Sequence, residues 1–154
     1  MKIACRPAQE GDFEIARRIH HTAYRSWVID QFGPWNDETQ DRFFRESWEQ
    51  WPYEMIEIDG IPCGYIAFED AEDATHIREF AIQEECQGRG IGTGQLRRLI
   101  DRSEIHQKPL KLRAFKKNAS AQKLYRRLGF IETGETELQI EFEWPLSSST
   151  NKTK

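Results

Sequence analysis

Cys86-Gln87-Gly88-Arg89-Gly90-Ile91-Gly92-Thr93-Gly94 is the stretch on which the fold turns. It follows a strand-like run and opens a helix-like one. Glycines at this spacing let the backbone approach a ligand closely. A helix start adds unpaired N–H groups and the positive end of the helix dipole, so the segment reads as a cradle for a pyrophosphate. Two common phosphate loops are excluded. The nucleotide-triphosphatase loop needs a Gly-Lys-Ser/Thr ending, and no lysine stands there. The dinucleotide fingerprint Gly-x-Gly-x-x-Gly would require glycine at Thr93 or at Gln95. What fits is Gln/Arg-x-x-Gly-x-Gly/Ala, running from Gln87 to Gly92.

Working outward, the apolar pattern predicts a strand near residues 2–6 and a helix from about 12 to 28 with the stripe Phe13, Ala16, Ile19, Ala23 and Trp27. After the Gly33-Pro34 break, Asn36 or Asp37 caps a second helix carrying Phe43, Phe44, Trp48 and Trp51, and Pro52 ends it. Strands at about 53–58 and 61–69 flank Asp59-Gly60, a tight-hairpin pair. A strand at about 75–83 leads into the glycine segment and a helix to about 104. A strand at 110–115, a helix at 119–128 stopped by Gly129, and strands near 131–133 and 138–144 complete the series. The order is β-α-α-β-β-β-α-β-α-β-β, a mixed α/β sheet flanked by helices rather than a repeating βα unit.

A second informative stretch lies downstream: Asn118-Ala119-Ser120-Ala121-Gln122-Lys123-Leu124-Tyr125-Arg126-Arg127-Leu128-Gly129-Phe130. Together with Gln87–Gly92 it resembles the GNAT superfamily of N-acetyltransferases, whose late helix reads roughly N-x-x-A-x-x-L-Y-x-x-x-G-F. The interval between the motifs and the element order over residues 1–144 match as well. The resemblance implies a predominantly antiparallel sheet in the acyl-CoA N-acyltransferase fold, with residues 1–144 as a single domain. It implies acetyl-CoA as co-substrate, no metal, and transfer of an acetyl group to a primary amine by direct attack through a tetrahedral intermediate. A catalytically inactive CoA-binding sensor or partner module is the alternative.

The resemblance also assigns residues. Gln87 opens the cradle, and the backbone of Gly88, Arg89, Gly90, Ile91, Gly92 and Thr93 binds the pyrophosphate. Phe80, Ala81 and Ile82 present main-chain groups to the pantetheine arm, as an added strand would. The N–H of Ile82 is the expected oxyanion donor. Asn118 caps the late helix and, in relatives, touches the CoA arm. Tyr125 is the expected general acid for the leaving thiolate. Two residues compete for the base: His76, the preferred one because it lies eleven residues before Gln87, where some relatives carry a base, and Glu79, nearer the loop. Strand alternation places Glu79 on the opposite face from His76, Arg78 and Phe80.

The two early helices are expected to line the acceptor side. They carry His20, His21, Tyr24, Arg25, Trp27, Trp35, Asp37, Glu38, Phe43, Trp48 and Trp51. Aromatics with carboxylates suit a cationic acceptor such as a polyamine, amino sugar or basic peptide, whereas Arg25 would suit a substrate carboxylate. Most of these aromatics also fit plain core packing. Adjacent on a helix, His20 and His21 are expected to point apart and not to form a metal pair.

At 154 residues with a net charge of −4, the chain suits one domain and small or cationic substrates better than a nucleic-acid backbone. Its three cysteines, Cys5, Cys63 and Cys86, show no zinc-like spacing and read as reduced thiols in a cytoplasmic protein. The composition offers no membrane span. A homodimer is compatible with the pattern, and the polar segment from 145 to 154 reads as a frayed tail.

Overall fold

Residues 1–146 are described in the computed structural model of the chain; the expected frayed tail lies outside them from residue 147 onward. The elements are β1 (Ile3–Pro7), α1 (Phe13–Phe32), α2 (Asp37–Gln50), β2 (Tyr53–Ile58), β3 (Ile61–Asp70), β4 (Thr75–Ile82), α3 (Ile91–His106), β5 (Leu110–Phe115), α4 (Ala119–Leu128), β6 (Ile131–Glu135) and β7 (Gln139–Trp144). This is the order expected from the sequence. The strands form one seven-stranded sheet in the order β1-β2-β3-β4-β5-β7-β6. The β1/β2, β2/β3, β5/β7 and β6/β7 pairs are antiparallel and β4/β5 is parallel.

Local chemistry explains the boundaries. Asp59 and Gly60 take φ of 51° and 84°, the twist that a two-residue hairpin turn requires. Of the two candidate caps for α2, Asn36 performs the role, its Oδ1 accepting from the Thr39 N–H at 2.8 Å. Helix α1 runs four residues beyond the expected end at Val28 and stops at Gly33, whose N–H bonds the Ile29 carbonyl at 2.9 Å. The apolar stripe fades after Val28, but nothing before Gly33 breaks the helical ladder.

The chain divides into two compact units. One holds Met1–Phe68 and Arg78–Ile91; the other holds Glu69–Ile77 and the chain from Gly92 onward. In the first, Ala16, Ile19 and Phe44 from the helices pack with Tyr53, Met55, Tyr65, Ala67 and Ala81 from the sheet. The register pairs Tyr53 with Ala67 and Met55 with Tyr65, which puts those four on one face. In the second, Leu96, Leu99 and Ile100 of α3 are buried, as are Leu112 of β5 and Phe142 of β7, which are paired in register.

Candidate active site

The glycine loop is built for close backbone approach. Gly88 and Gly90 take φ of 79° and 81°, where side chains are strained. A Cβ added at either would meet nothing within 4 Å, so the loop surface is open on that side. Ile91 starts α3 and is itself buried, which anchors the helix start. The first-turn N–H groups of α3 have no acceptor within the helix. The residues present therefore fit a pyrophosphate, with no bulk in its way.

The strand entering the loop is held on both edges. On one, the Gln83 N–H donates to the Cys63 carbonyl of β3 at 2.7 Å. Gly64 makes that approach possible, because a Cβ there would lie 2.5 Å from the Ala81 carbonyl oxygen. Alternation sends the carbonyls of Phe80 and Ile82 to the other edge. There the Tyr24 hydroxyl donates to Phe80 O at 3.0 Å, and Gln87 Nε2 donates to Ile82 O at 2.9 Å. Gln87 thus closes its own loop back onto the strand.

Glu79 follows the buried alternation of Thr75, Ile77 and Ala81 along β4. Its Oε1 is shut off from solvent without a hydrogen-bond partner, as is the hydroxyl of Tyr65. Burial raises the carboxyl to about 7, against a partly compensating hydrogen bond from Tyr24. The Tyr65 ring packs on Tyr53 at 5.4 Å, and Tyr53 shares a 2.7 Å hydrogen bond with Ser47. Glu79 therefore sits in a cage of tyrosines, Tyr24, Tyr53 and Tyr65. Tyr53 and Tyr65 were not among the expected site residues. Their positions on one sheet face were readable by alternation, but their convergence on Glu79 depends on the register between strands.

His20 and His21 correct the expectation that they diverge. Their Nδ1 atoms lie 3.0 Å apart, and His21 Nε2 lies 2.6 Å from Asp41 Oδ1 on α2. Asp41 anchors the His21 ring. The aromatic residues of this region are largely structural. Phe44 is in the core, Trp48 packs against Phe13 and Phe44, and Arg78 lies over Trp51. Arg25 stacks over Trp35 at 5.4 Å.

In the second unit, His76 pairs in register with Lys111 of β5. Asn118 caps α4, its Oδ1 accepting from the Ala121 N–H at 3.2 Å. Tyr125 is buried in that helix, its ring edge-on to Phe142 at 5.5 Å, and burial pushes its phenol above the usual range. It holds its proton at neutral pH. Thr93 meets the far end of the same helix, with Arg127 Nη2 donating to Thr93 Oγ1 at 3.5 Å. The first unit thus contains Glu79, Phe80, Ala81, Ile82 and Gln87 to Ile91, and the second contains His76, Gly92, Thr93, Asn118 and Tyr125. Among the described residues there is no group of three His, Cys, Asp or Glu side chains placed to hold a metal ion.

The acetyltransferase (GNAT) family model matches residues 19–130. The chain belongs to the GNAT acetyltransferase family. Solved structures share its fold. The ribosomal-protein-S18-alanine N-acetyltransferase of Escherichia coli superposes with a TM-score of 0.69 at 22% identity, covering 95% of each chain. The PaiA N-acetyltransferase of Thermoplasma acidophilum, in complex with coenzyme A, reaches 0.76 at 14% identity over 94% of this chain and 99% of its own. An acetyltransferase of Thermus thermophilus reaches 0.74 at 17% identity over 95% of this chain and 98% of its own. No protein of curated function matches the chain in sequence. This GNAT domain carries both family motifs, and the family match spans both compact units. Among the described residues no helix is long and apolar enough to cross a membrane.

Proposed function

We propose that this chain transfers an acetyl group from acetyl-CoA to a primary amine by direct attack through a tetrahedral intermediate, with residues 1–144 acting as one acetyltransferase domain. The observation that carries the proposal is Glu79: a buried carboxyl raised to about 7 on the strand that runs into the glycine loop. An acid–base group works best with its pKa near the operating pH.

Acetyl-CoA supplies an activated thioester. Gln87 and the backbone from Gly88 to Thr93 hold its pyrophosphate, Phe80 to Ile82 hold its arm, and Asn118 adds a polar contact. Glu79 takes the ammonium proton, leaving a neutral amine to attack. Its cage of Tyr24 and Tyr65 keeps it out of water and oriented. The Ile82 N–H stabilises the developing oxyanion. Tyr125, a phenol that is protonated at neutral pH, gives its proton to the departing thiolate as the C–S bond breaks, and its phenolate takes up the remaining extra proton of the newly acylated nitrogen. Glu79 is preferred to His76 because burial and Tyr24 tune its carboxyl, whereas His76 sits beside Lys111 at the opposite end of β4.

The test is thiol release from acetyl-CoA with a panel of polyamines, amino sugars and peptides with free N-termini or lysines. Turnover with any of them, abolished in Glu79→Gln, supports the reading. Binding of CoA without turnover on any amine would leave a CoA-binding module in place of the enzyme.

A further inference from the structure

The chain from Asp41 through His21 to His20 has a defined proton arrangement. Asp41 Oδ1 can only accept, so His21 Nε2 is the donor across 2.6 Å. In neutral His21 the other nitrogen, Nδ1, is then a lone pair. The contact of 3.0 Å between the two Nδ1 atoms therefore requires His20 Nδ1 to carry the hydrogen. His20 Nε2 is left as a lone pair. This is the less common tautomer of histidine, and it is enforced from two residues away.

His20 is buried, and desolvation with the neighbouring His21 lowers its pKa to about 3. It is neutral and does not repel a cation. Its ring lies 4.6 Å from that of Tyr24, whose hydroxyl lies against Glu79, and 4.8 Å from that of Phe44. His20 thus adjoins the cage in which the amine meets its base.

We propose that His20 Nε2 is a hydrogen-bond acceptor for the ammonium or amine N–H of the acceptor substrate, and that Asp41 and His21 are positioning residues that hold His20 in the tautomer this requires. The proposal rests on the amine-acetyltransferase reading above. A donor in place of Asp41 would reverse the His21 tautomer and move the His20 hydrogen to Nε2, turning the acceptor into a donor facing a cation. The charged and titratable groups around this chain are Arg17 of α1, 3.1 Å from Asp41; Asp41 of α2; Arg25, stacked on the Trp35 ring that also meets His21; Tyr24, Tyr53 and Tyr65; and Glu79 of β4.

The Asp41→Asn variant gives a direct test. The asparagine NH₂ can donate to His21 Nε2 and so reverse both tautomers with little change in volume. The first readout, nitrogen-15 NMR of the histidine side chains at pH 8, needs no substrate. The wild type should show His20 protonated at Nδ1, and Asp41→Asn or His21→Phe should shift it to Nε2. A wild-type His20 protonated at Nε2 overturns the proposal. The second readout is steady-state kinetics with the amine that turns over fastest in the panel. Asp41→Asn should raise KM for that amine about fivefold or more, with kcat within about twofold and KM for acetyl-CoA unchanged. An unchanged amine KM overturns the role of His20. Absence of turnover by the wild type on every amine defeats the acetyltransferase reading and, with it, the substrate role of His20. The NMR result then still decides the tautomer assignment.

Discussion

Tyr24 donates its hydroxyl to the Phe80 carbonyl at 3.0 Å and meets the Glu79 carboxyl with the same oxygen. One side chain of α1 therefore controls both the backbone edge and the carboxyl of β4. Its single hydrogen serves the Phe80 carbonyl or the Glu79 carboxylate, and the second arrangement lowers the Glu79 pKa against the rise caused by burial. Tyr24→Phe removes that support, so the Glu79 pKa should rise above its present value of about 7. The acid limb of kcat/KM against pH should move to higher pH, and the protein should lose about 1 kcal/mol of stability. An acid limb that stays in place would contradict the coupling.

Glu79 also makes a prediction about stability. Its folded pKa of about 7 lies above its ordinary value of 4.5. The native state therefore binds this proton more tightly than the unfolded chain does. The associated stabilisation is complete below pH 4.5 and is lost as pH rises through 7, by roughly 3 kcal/mol in all. Glu79→Gln does not titrate, so its stability relative to wild type should climb between those pH values. Denaturant unfolding at a series of pH values measures this, and a flat difference would show that Glu79 is not buried as an acid. The same variant should lose about 10²-fold or more in turnover.

Tyr125→Phe should lower kcat by about 10²-fold, with little change in CoA affinity. The ring keeps its contacts with Phe130 and Phe142; only the proton donor goes. Equal losses in turnover and CoA affinity would assign Tyr125 to binding rather than to acid catalysis.

Gly64→Ala should destabilise the domain by about 1–3 kcal/mol. The new methyl group would lie 2.5 Å from the Ala81 carbonyl oxygen and 2.9 Å from Ile82 Cδ1, and backbone must shift to admit it. Because Ala81 and Ile82 also lead into the cradle, CoA affinity should fall with stability. Thermal unfolding and CoA titration on the same sample report both.

Much of this was legible in the sequence for identifiable reasons. Asp59-Gly60, Asn36, Gly33 and Gly129 act through their own backbone chemistry, so they marked turns and ends without tertiary information. The glycine motif from Gln87 to Gly92 is equally local. What escaped was whatever depends on which elements meet. Tyr65 reaches the Glu79 cage through the strand register, Tyr53↔Ala67 and Met55↔Tyr65. The Asp41–His21 bond joins residues 20 apart on separate helices. The angular separation of neighbours on a helix predicts that His20 and His21 diverge, but the anchor on α2 sets the His21 ring and brings the two together. Alternation along β4 did separate Glu79 from His76, but burial was needed to choose between them.

The central claim is that Gly88 to Thr93 cradle the CoA pyrophosphate, and calorimetric titration of the purified protein with acetyl-CoA and with CoA tests it most directly. Binding of both is predicted, together with its loss in Gly90→Asp, which adds bulk and negative charge at a position with φ of 81° facing open space. No heat of binding at millimolar ligand, or unchanged affinity in a folded Gly90→Asp, would contradict it.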